Sequence, residues 1–395
     1  MIKKPELLAP AGSLEKAKWA FHYGADAVYI GGRDYSLRAN ATNFSIDEMK
    51  ELCEFAHERS KKVYVTVNIV FHDKDFTGLE EYLKKLYEIN VDAIIVSDLY
   101  VLSLSKKIVP NLEVHISTQT SSLNYESVNY YEKTGASRVV LGRELSELEL
   151  TEIRQKTNIE LEMFIHGATC SSYSGRCTLS NYMTNRDSNR GGCSQICRWN
   201  FTLCNKDLNE INNEQLFSMS TKDLSMLRNL PTLIDIGITS FKIEGRMRSI
   251  YYIATIVHIY RKAIDEYFAG NYKYDETYEQ ILRRCANRDS VPHFFNRVPD
   301  ENEQYYIDRQ ENSNQDFLGI ILDYDGKIAT VEQRNYFKPG DNVTVFGPTT
   351  EFDTAIESIT DINDNVLDAA RHPQQIVKVP INHEVFKNDI IRIKV

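Results

Sequence analysis

Five of the chain's seven cysteines, Cys170, Cys177, Cys193, Cys197 and Cys204, fall within 35 residues, while Cys53 and Cys285 stand apart. A scatter of buried structural cysteines would not crowd in this way. Clustered thiols in a reducing compartment read as metal ligands or redox groups before they read as disulfides. The first four are spaced C-x6-C-x15-C-x3-C. Zinc prefers a tight knuckle in each half of its site, and only Cys193 with Cys197 comes close to one. An iron–sulfur cluster needs four thiolates converging from a flexible segment, which this looser spacing allows. Cluster, zinc and unligated thiols stand as the alternatives on the residues alone.

Other side chains near these thiols could share the chemistry. His166 lies four positions before Cys170. Imidazole titrates near neutrality, so it is a candidate proton shuttle or substrate donor, the bland alternative being a hydrogen-bonded structural histidine. Strand alternation puts Glu162, Phe164 and His166 on one face, expected to point toward a common pocket. Arg143 with Glu144, and Glu244 with Arg246, each follow a strand-like run. Arg176, Arg186, Arg190, Arg198, Arg246 and Arg248 gather positive charge in a chain of formal net charge −10. Guanidinium forks suit a small dicarboxylate, an RNA backbone or both. Pairing with Asp187 and Asp223 would leave them inert instead. Tyr173, Tyr182 and Trp199 offer faces for a flipped or single-stranded base, although core packing is the commoner fate of such rings. Asn68, His115 and Gln119 end other strands and are weaker candidates. No H-E-x-x-H, G-x-S-x-G or P-loop is present, so a peptidase would need a pair such as Cys170 with His166. The expected assignment is catalysis by His166, Glu162, Glu244 and Arg246, and co-substrate binding by Arg143, Arg176 and Arg198. Metal ligation falls to Cys170, Cys177, Cys193 and Cys197.

The elements that must position these groups repeat along the first 250 residues. A helix-like stretch ends at glycine or a polar residue, and an apolar or β-branched run follows. Strands are expected at Leu7–Ala9, Ala27–Ile30, Lys62–Asn68, Ala93–Ser97, Glu113–Ser117, Arg138–Leu141, Glu160–Ile165 and Ser240–Ile243. Amphipathic stretches at Ser45–Arg59 and Leu79–Glu88 lie between them, the first opening with a Ser45/Glu48 capping box. This alternation predicts an α/β fold, a (β/α)8 TIM-like barrel. A doubly wound sheet is the alternative, weakened by the lack of G-x-G-x-x-G after the first strand. The long stretch between the seventh and eighth strands holds all five clustered cysteines. A loop after a barrel strand emerges at the C-terminal mouth, where barrel enzymes keep their chemistry. Past Tyr306 short alternating strands and turn signals predict a small β-barrel or sandwich. The expected division is a barrel over 1–167 and 236–284, a Cys-rich insert over 168–235, a linker over 285–306 and a small β domain over 307–395. With 42% hydrophobic and 26% charged residues, a large core is affordable. No run of about eighteen apolar residues occurs, and the N-terminus leads straight into a strand. Neither a membrane span nor a secretory signal is expected, and the cytoplasm is the expected location.

Longer motifs add to this. Glu162-Met163-Phe164-Ile165-His166-Gly167-Ala168-Thr169-Cys170 and Ser174-Gly175-Arg176-Cys177-Thr178-Leu179-Ser180 are the most specific. With them go Asn181-Tyr182-Met183-Thr184, Cys197-Arg198-Trp199, Ser220-Thr221-Lys222-Asp223-Leu224 and Lys242-Ile243-Glu244-Gly245-Arg246-Met247. Leu7-Leu8-Ala9-Pro10-Ala11-Gly12, Tyr29-Ile30-Gly31-Gly32 and Glu332-Gln333-Arg334-Asn335 extend the pattern to both ends. In these motifs the chain resembles peptidase family thirty-two of unknown catalytic type, the collagenase-like family. The resemblance implies RNA hydroxylation, with one branch supporting prephenate-dependent 5-hydroxylation of the tRNA wobble uridine. It also implies a 4Fe–4S cluster held by cysteines of the insert, tRNA and a small dicarboxylate as partners, and a homo- or hetero-oligomer with a family paralogue. Cleavage of collagen-like or unfolded polypeptides is the alternative activity. RNA-modifying relatives usually carry cysteine after Lys222-Asp223-Leu224, where this chain has Ser225. Cys197 or Cys204 would then supply the fourth thiolate, or the cluster would be labile or absent. Relatives also often have Thr-Gly-Phe where this chain has Asp289-Ser290-Val291 after Arg288.

Overall fold

The computed structural model describes residues 2–37, 43–211, 216–305 and 315–395. Seven parallel strands run in order: β1 (Glu6–Pro10), β2 (Ala27–Gly31), β3 (Lys62–Val67), β4 (Ala93–Val96), β5 (Glu113–Ile116), β6 (Arg138–Val140) and β7 (Glu160–Gly167). After an insert containing β8 (Ser220–Thr221) and β9 (Asp223–Ser225) comes the eighth barrel strand, β10 (Ser240–Ile243). It pairs with both β7 and β1, which closes the ring. The expected barrel is therefore present.

Helices α1 (Leu14–His22), α2 (Ile46–His57), α3 (Leu79–Glu88), α4 (Leu99–Ile108), α5 (Tyr125–Lys133) and α6 (Glu147–Gln155) follow the first six strands. The insert carries α7 (Leu179–Thr184), and α8 (Leu230–Ile236), α9 (Ile250–Phe268) and α10 (Glu276–Ala286) complete the layer. Their starts are fixed locally: Ser45 with Glu48 and Ser146 with Glu149 form full capping boxes. Alternate strand residues such as Val28, Val63, Val65, Ile94 and Phe241 pack outward against these helices. The opposite parity fills the barrel with an apolar layer of Leu8, Tyr29, Tyr64 and Ile95, together with buried His115, Arg138, Glu162 and Lys242.

Two expected boundaries shift. Residues 230–235, assigned to the insert, belong to α8, whose Leu230, Leu233 and Ile234 lie in the barrel's own apolar core. The stretch expected as a linker is folded onto the insert. Its β11 (Ser290–Val291) pairs with β9, and β12 (Gln304–Tyr305) pairs with β8. Arg288 Nε donates to Asp223 Oδ1 at 2.8 Å, and His293 Nε2 lies 2.9 Å from the Lys222 carbonyl. Polar composition concealed these contacts because Arg288 and His293 find their partners in the insert.

Tyr306, the expected boundary, lies outside the described residues. Beyond it run β13 (Phe317–Tyr324), β14 (Ile328–Gln333), β15 (Asn342–Phe346), β16 (Glu351–Ala355), β17 (Ile359–Thr360), β18 (Val366–Leu367), β19 (Ile376–Pro380) and β20 (Ile390–Ile393). They form one antiparallel sheet in the order β16-β15-β20-β13-β14-β19-β17-β18 around a separate apolar cluster. A small β-barrel or sandwich was expected, and a separate antiparallel β domain is present; among the described residues β16 and β18 do not pair, so the hydrogen-bonded ring stays open. Tyr23 Oη donates to the Asn388 carbonyl at 2.7 Å, and Lys262 Nζ pairs with Glu351 at 2.5 Å, tying this domain to α1 and α9.

Candidate functional site

The seventh strand decides which groups reach the barrel mouth. Phe164 pairs with Lys242 and His166 with Ile243, so β7 carries one extra residue at Ile165. Such a bulge reverses the side-chain parity beyond it. Phe164 therefore points into the barrel, whereas His166 turns outward with Ile243 against α9. Its Nδ1 lies 3.4 Å from Tyr260 Oη, its ring packs on Tyr252 and Tyr260, and it is 1% exposed. Burial, helped by the Arg248 charge, pushes the imidazole down to about 3. The expectation that His166 faces the mouth is thus corrected: it is a neutral, enclosed side chain on the far side of β7.

Glu162 keeps its inward parity but sits below the mouth and does not line the cavity. It accepts from Lys242 Nζ at 2.7 Å, Arg138 Nη1 at 3.0 Å and Ser240 Oγ at 3.3 Å. Burial alone would raise its carboxyl, yet Lys242 and Arg138 hold it down to about 2. Arg138 also pairs with Glu6 at 2.7 Å and Glu160 at 2.7 Å. Glu162 is a positioning group beneath the site rather than one that could touch substrate. His115 shares this buried layer, 4.7 Å from the Tyr64 ring.

Above it the mouth encloses a cavity of about 270 Å³. Tyr29, Thr66, Asn68, Gln119, Phe164 and Lys242 line its floor, and Arg143, Glu144, Glu244 and Arg246 its barrel rim. Lys242 Nζ, anchored from below by Glu162, stands 4.6 Å from the Tyr29 ring centroid and 5.3 Å from that of Phe164. The Arg143 guanidinium lies 3.9 Å from the Phe164 centroid and donates to the Ala168 carbonyl at 2.8 Å. Arg246 Nη1 donates to Ser36 Oγ at 3.0 Å and Thr66 Oγ1 at 3.3 Å. Glu244 accepts from Tyr29 Oη at 3.2 Å. Two motif glycines make this packing feasible. A Cβ at Gly12 would stand 2.2 Å from the Arg246 carbonyl oxygen, and one at Gly31 2.1 Å from Arg246 Nη1. Among the described residues Asn68 Oδ1, Gln119 Oε1, Thr169 Oγ1 and Arg143 Nε are buried without a hydrogen-bond partner. Unpaired buried polar atoms are costly, and here they surround a cavity that a polar ligand would satisfy.

The insert forms the cavity's upper wall. Glu144 accepts from Ser174 N at 2.5 Å and Ser174 Oγ at 3.1 Å, and Arg190 pairs with Asp75 at 2.5 Å. The arginine thus pairs not with Asp187 but with a loop distant in sequence. Cys170, Cys177, Cys193 and Cys197 all line the cavity. Cys170 Sγ accepts from Ser172 N at 3.4 Å and Cys177 Sγ from Leu179 N at 3.4 Å. Burial raises the Cys170 and Cys197 thiols, and neighbouring sulfurs of the same set push in the same direction. No three His, Cys, Asp or Glu among the described residues are gathered tightly enough to hold one ion. In a 4Fe–4S cluster each thiolate binds a different iron, so such a group asks for four thiols facing one space, and these four line one cavity.

Neither Cys204, the other thiol expected as a possible fourth ligand, nor Ser225, which stands where relatives carry cysteine, reaches the wall. Cys204 is exposed in a bridge with Glu210. Ser225 Oγ is buried against Glu279 at 2.9 Å, on the outer side of the barrel with His166. Arg198 lines the cavity, whereas Arg176 is exposed and does not, because the turn at Tyr173–Gly175 directs it outward. Arg248 lies 3.6 Å from Asp223. Tyr173, Tyr182 and Trp199, for which core packing was the commoner expectation, are exposed by 57%, 86% and 45%.

Lys242 was missed as a site residue. Its signal was available: it is the one charged residue in the strand Ser240-Phe241-Lys242-Ile243, at an inward parity. Tyr29 and Thr66 were missed because strand tyrosine and threonine look like ordinary barrel filling.

A model of Peptidase family U32 matches residues 12–305, and one of the Peptidase family U32 C-terminal domain matches residues 313–392. The chain belongs to peptidase family U32. It is 48% identical to tRNA hydroxylation protein P1 of Bacillus subtilis, over 99% of this chain and 95% of that one. Likeness to tRNA hydroxylation protein P of Haemophilus influenzae is 34%, over 98% and 95% respectively. A collagenase of Porphyromonas gingivalis is 30% identical over 97% of this chain and 96% of its own. No helix among the described residues is long and apolar enough to cross a membrane.

Proposed function

We propose that this U32 protein hydroxylates RNA in the cytoplasm, with the tRNA wobble uridine as the base modified and prephenate as co-substrate. The observation that carries the reading is the meeting, in one cavity, of four insert thiols with Lys242, Arg143 and Arg246. Likeness over nearly the whole chain to proteins named for tRNA hydroxylation supports it. Cys170, Cys177, Cys193 and Cys197 would hold a 4Fe–4S cluster, which when bound supplies one-electron chemistry. Lys242 and Arg143 bind carboxylate, the first as a point charge and the second as a fork. Glu162 pairs with Lys242 and aims it upward, while Phe164 and Tyr29 keep the floor dry. Arg246 and Glu244 fix the rim, and Asn68 and Gln119 offer carboxamides to a polar ring or hydroxyl.

The peptidase reading needs a nucleophile beside a base. Cys170 faces the cavity and His166 the opposite side of β7, so that pair is not assembled. Gelatin cleavage by the purified protein, abolished by Cys170→Ala, is the result that would revive it.

The direct test is mass spectrometry of tRNA nucleosides from a strain lacking the gene and any paralogue. Loss of 5-hydroxyuridine derivatives, restored by the wild-type gene and not by Lys242→Met, is expected. Unchanged derivatives would refute the assignment. Anaerobically purified protein should be brown and contain about four irons per chain.

A further inference from the structure

We infer that the outer rim of the insert is a stacking platform for single-stranded RNA, built from three exposed rings on the segments that wall the cavity, each with an arginine near it in sequence, Arg176 and Arg186 exposed and Arg198 turned into the cavity. The inference rests on the RNA reading above and deepens it by naming the surface and the form of RNA it takes.

Each pair straddles the cavity edge. Tyr173 lies between Ser172 and Ser174, which line the cavity, and Arg176 follows it. Tyr182 belongs to α7, whose Leu179 and Ser180 line the cavity, and Arg186 follows. Trp199 directly follows Arg198, itself a lining residue. The backbone therefore turns one neighbour inward and presents the ring outward at three separate places. Among the described residues none of the three rings makes a ring contact, a side-chain hydrogen bond or a place in the apolar cores. Arg176 and Arg186 are likewise exposed and make no ion pair. Elsewhere the exposed cations Arg59, Arg297 and Arg371 are paired with carboxylates.

Single exposed aromatics are ordinary, but several large rings around one opening mark a contact surface. Rings interleaved with unpaired guanidinium groups in an acidic chain match one kind of partner. Bases stack on the ring faces, and phosphates meet the arginines. A paired helix keeps its bases stacked on one another and cannot use the rings. A loop with splayed bases can, and it can lower one base past the rim into the cavity. The wall is rigid enough to guide it, since Glu144 and Arg190 pin the insert to the barrel.

The test uses the full-length protein and fluorescence anisotropy. The probes are a labelled RNA hairpin with a uridine-containing loop and a fully paired duplex of equal length. The hairpin should bind more tightly than the duplex. Tyr173→Ala, Tyr182→Ala and Trp199→Ala should each weaken hairpin binding by about 5- to 150-fold, the range for one base–aromatic stack. Tyr182→Phe, which keeps the ring, should bind as wild type. Arg176→Gln and Arg186→Gln should each lower the salt slope of log affinity by roughly 0.7. Equal binding of hairpin and duplex, or alanine variants that bind as wild type, would overturn the platform while leaving the RNA reading intact. Wild-type protein that binds neither probe would overturn both. Loss of concentration-dependent self-association in the alanine variants, with RNA binding unchanged, would assign the surface to a second copy instead.

Discussion

Beneath the cavity every carboxylate has a cation and every cation a carboxylate: Arg138 bridges Glu6, Glu160 and Glu162, and Glu162 in turn holds Lys242. Above it, the insert leaves Arg176, Arg186, Tyr173, Tyr182 and Trp199 at the surface, and its thiols line an open wall. The charged layer beneath the floor spends its groups on one another and so fixes geometry. The wall holds its polar groups and rings in reserve for something that arrives. The same contrast separates charges that serve folding from charges available for binding, and substitutions on the two sides should behave differently.

The largest loss of stability is expected from Arg138→Met. It would leave Glu6 and Glu162 buried without their shared guanidinium, at a cost of about 3–5 kcal/mol in urea unfolding. A loss below about 1 kcal/mol would mean that the network under the floor is not holding it together. Next comes Gly12→Ala, whose new methyl would meet the Arg246 carbonyl oxygen at 2.2 Å. Overpacking of this kind costs roughly 1–3 kcal/mol, and a neutral result would show that the rim can yield.

Acid should weaken the barrel in two stages. His166 is held down to about 3, below its ordinary range, so the unfolded chain binds its proton first. Stability from this residue is present above its unfolded pKa and is lost as pH falls through the folded one, from about 6.5 toward about 3. Glu162, held down to about 2, adds the same sign of effect below its ordinary carboxylate range. Replacing His166 by Phe should flatten the upper part of that decline in urea midpoints measured at stepped pH. An unchanged slope would place the imidazole in water rather than against α9.

The smallest effects on folding should come from the wall. Cys170→Ser and Tyr182→Ala should stay within about 0.5 kcal/mol of wild type in iron-free protein. Cys170→Ser should nevertheless abolish iron content after anaerobic purification, while Cys204→Ser should retain it. Equal iron in the two variants would move the ligand set away from the cavity.

Much of this design was legible in the chain itself. Strand and helix periods, glycine punctuation and the capping boxes specify the barrel, because each depends on residues only a few positions apart. The cysteine spacing and its place after the seventh strand put the thiols at the mouth for the same reason. The expected linker and the end of the insert were misjudged because their partners, Asp223 for Arg288 and the barrel core for Leu233, are distant in sequence.

Side-chain direction was left to the tertiary structure. One extra residue at Ile165 sends His166 behind the strand, a half-turn that alternation alone cannot register. Arg190 finds Asp75, Lys242 finds Glu162, and Tyr173, Tyr182 and Trp199 find no ring partner among the described residues, each outcome depending on which distant surfaces meet. Local propensity fixes what an element is; the closure of the barrel fixes which of its groups are neutralised and which remain to do chemistry.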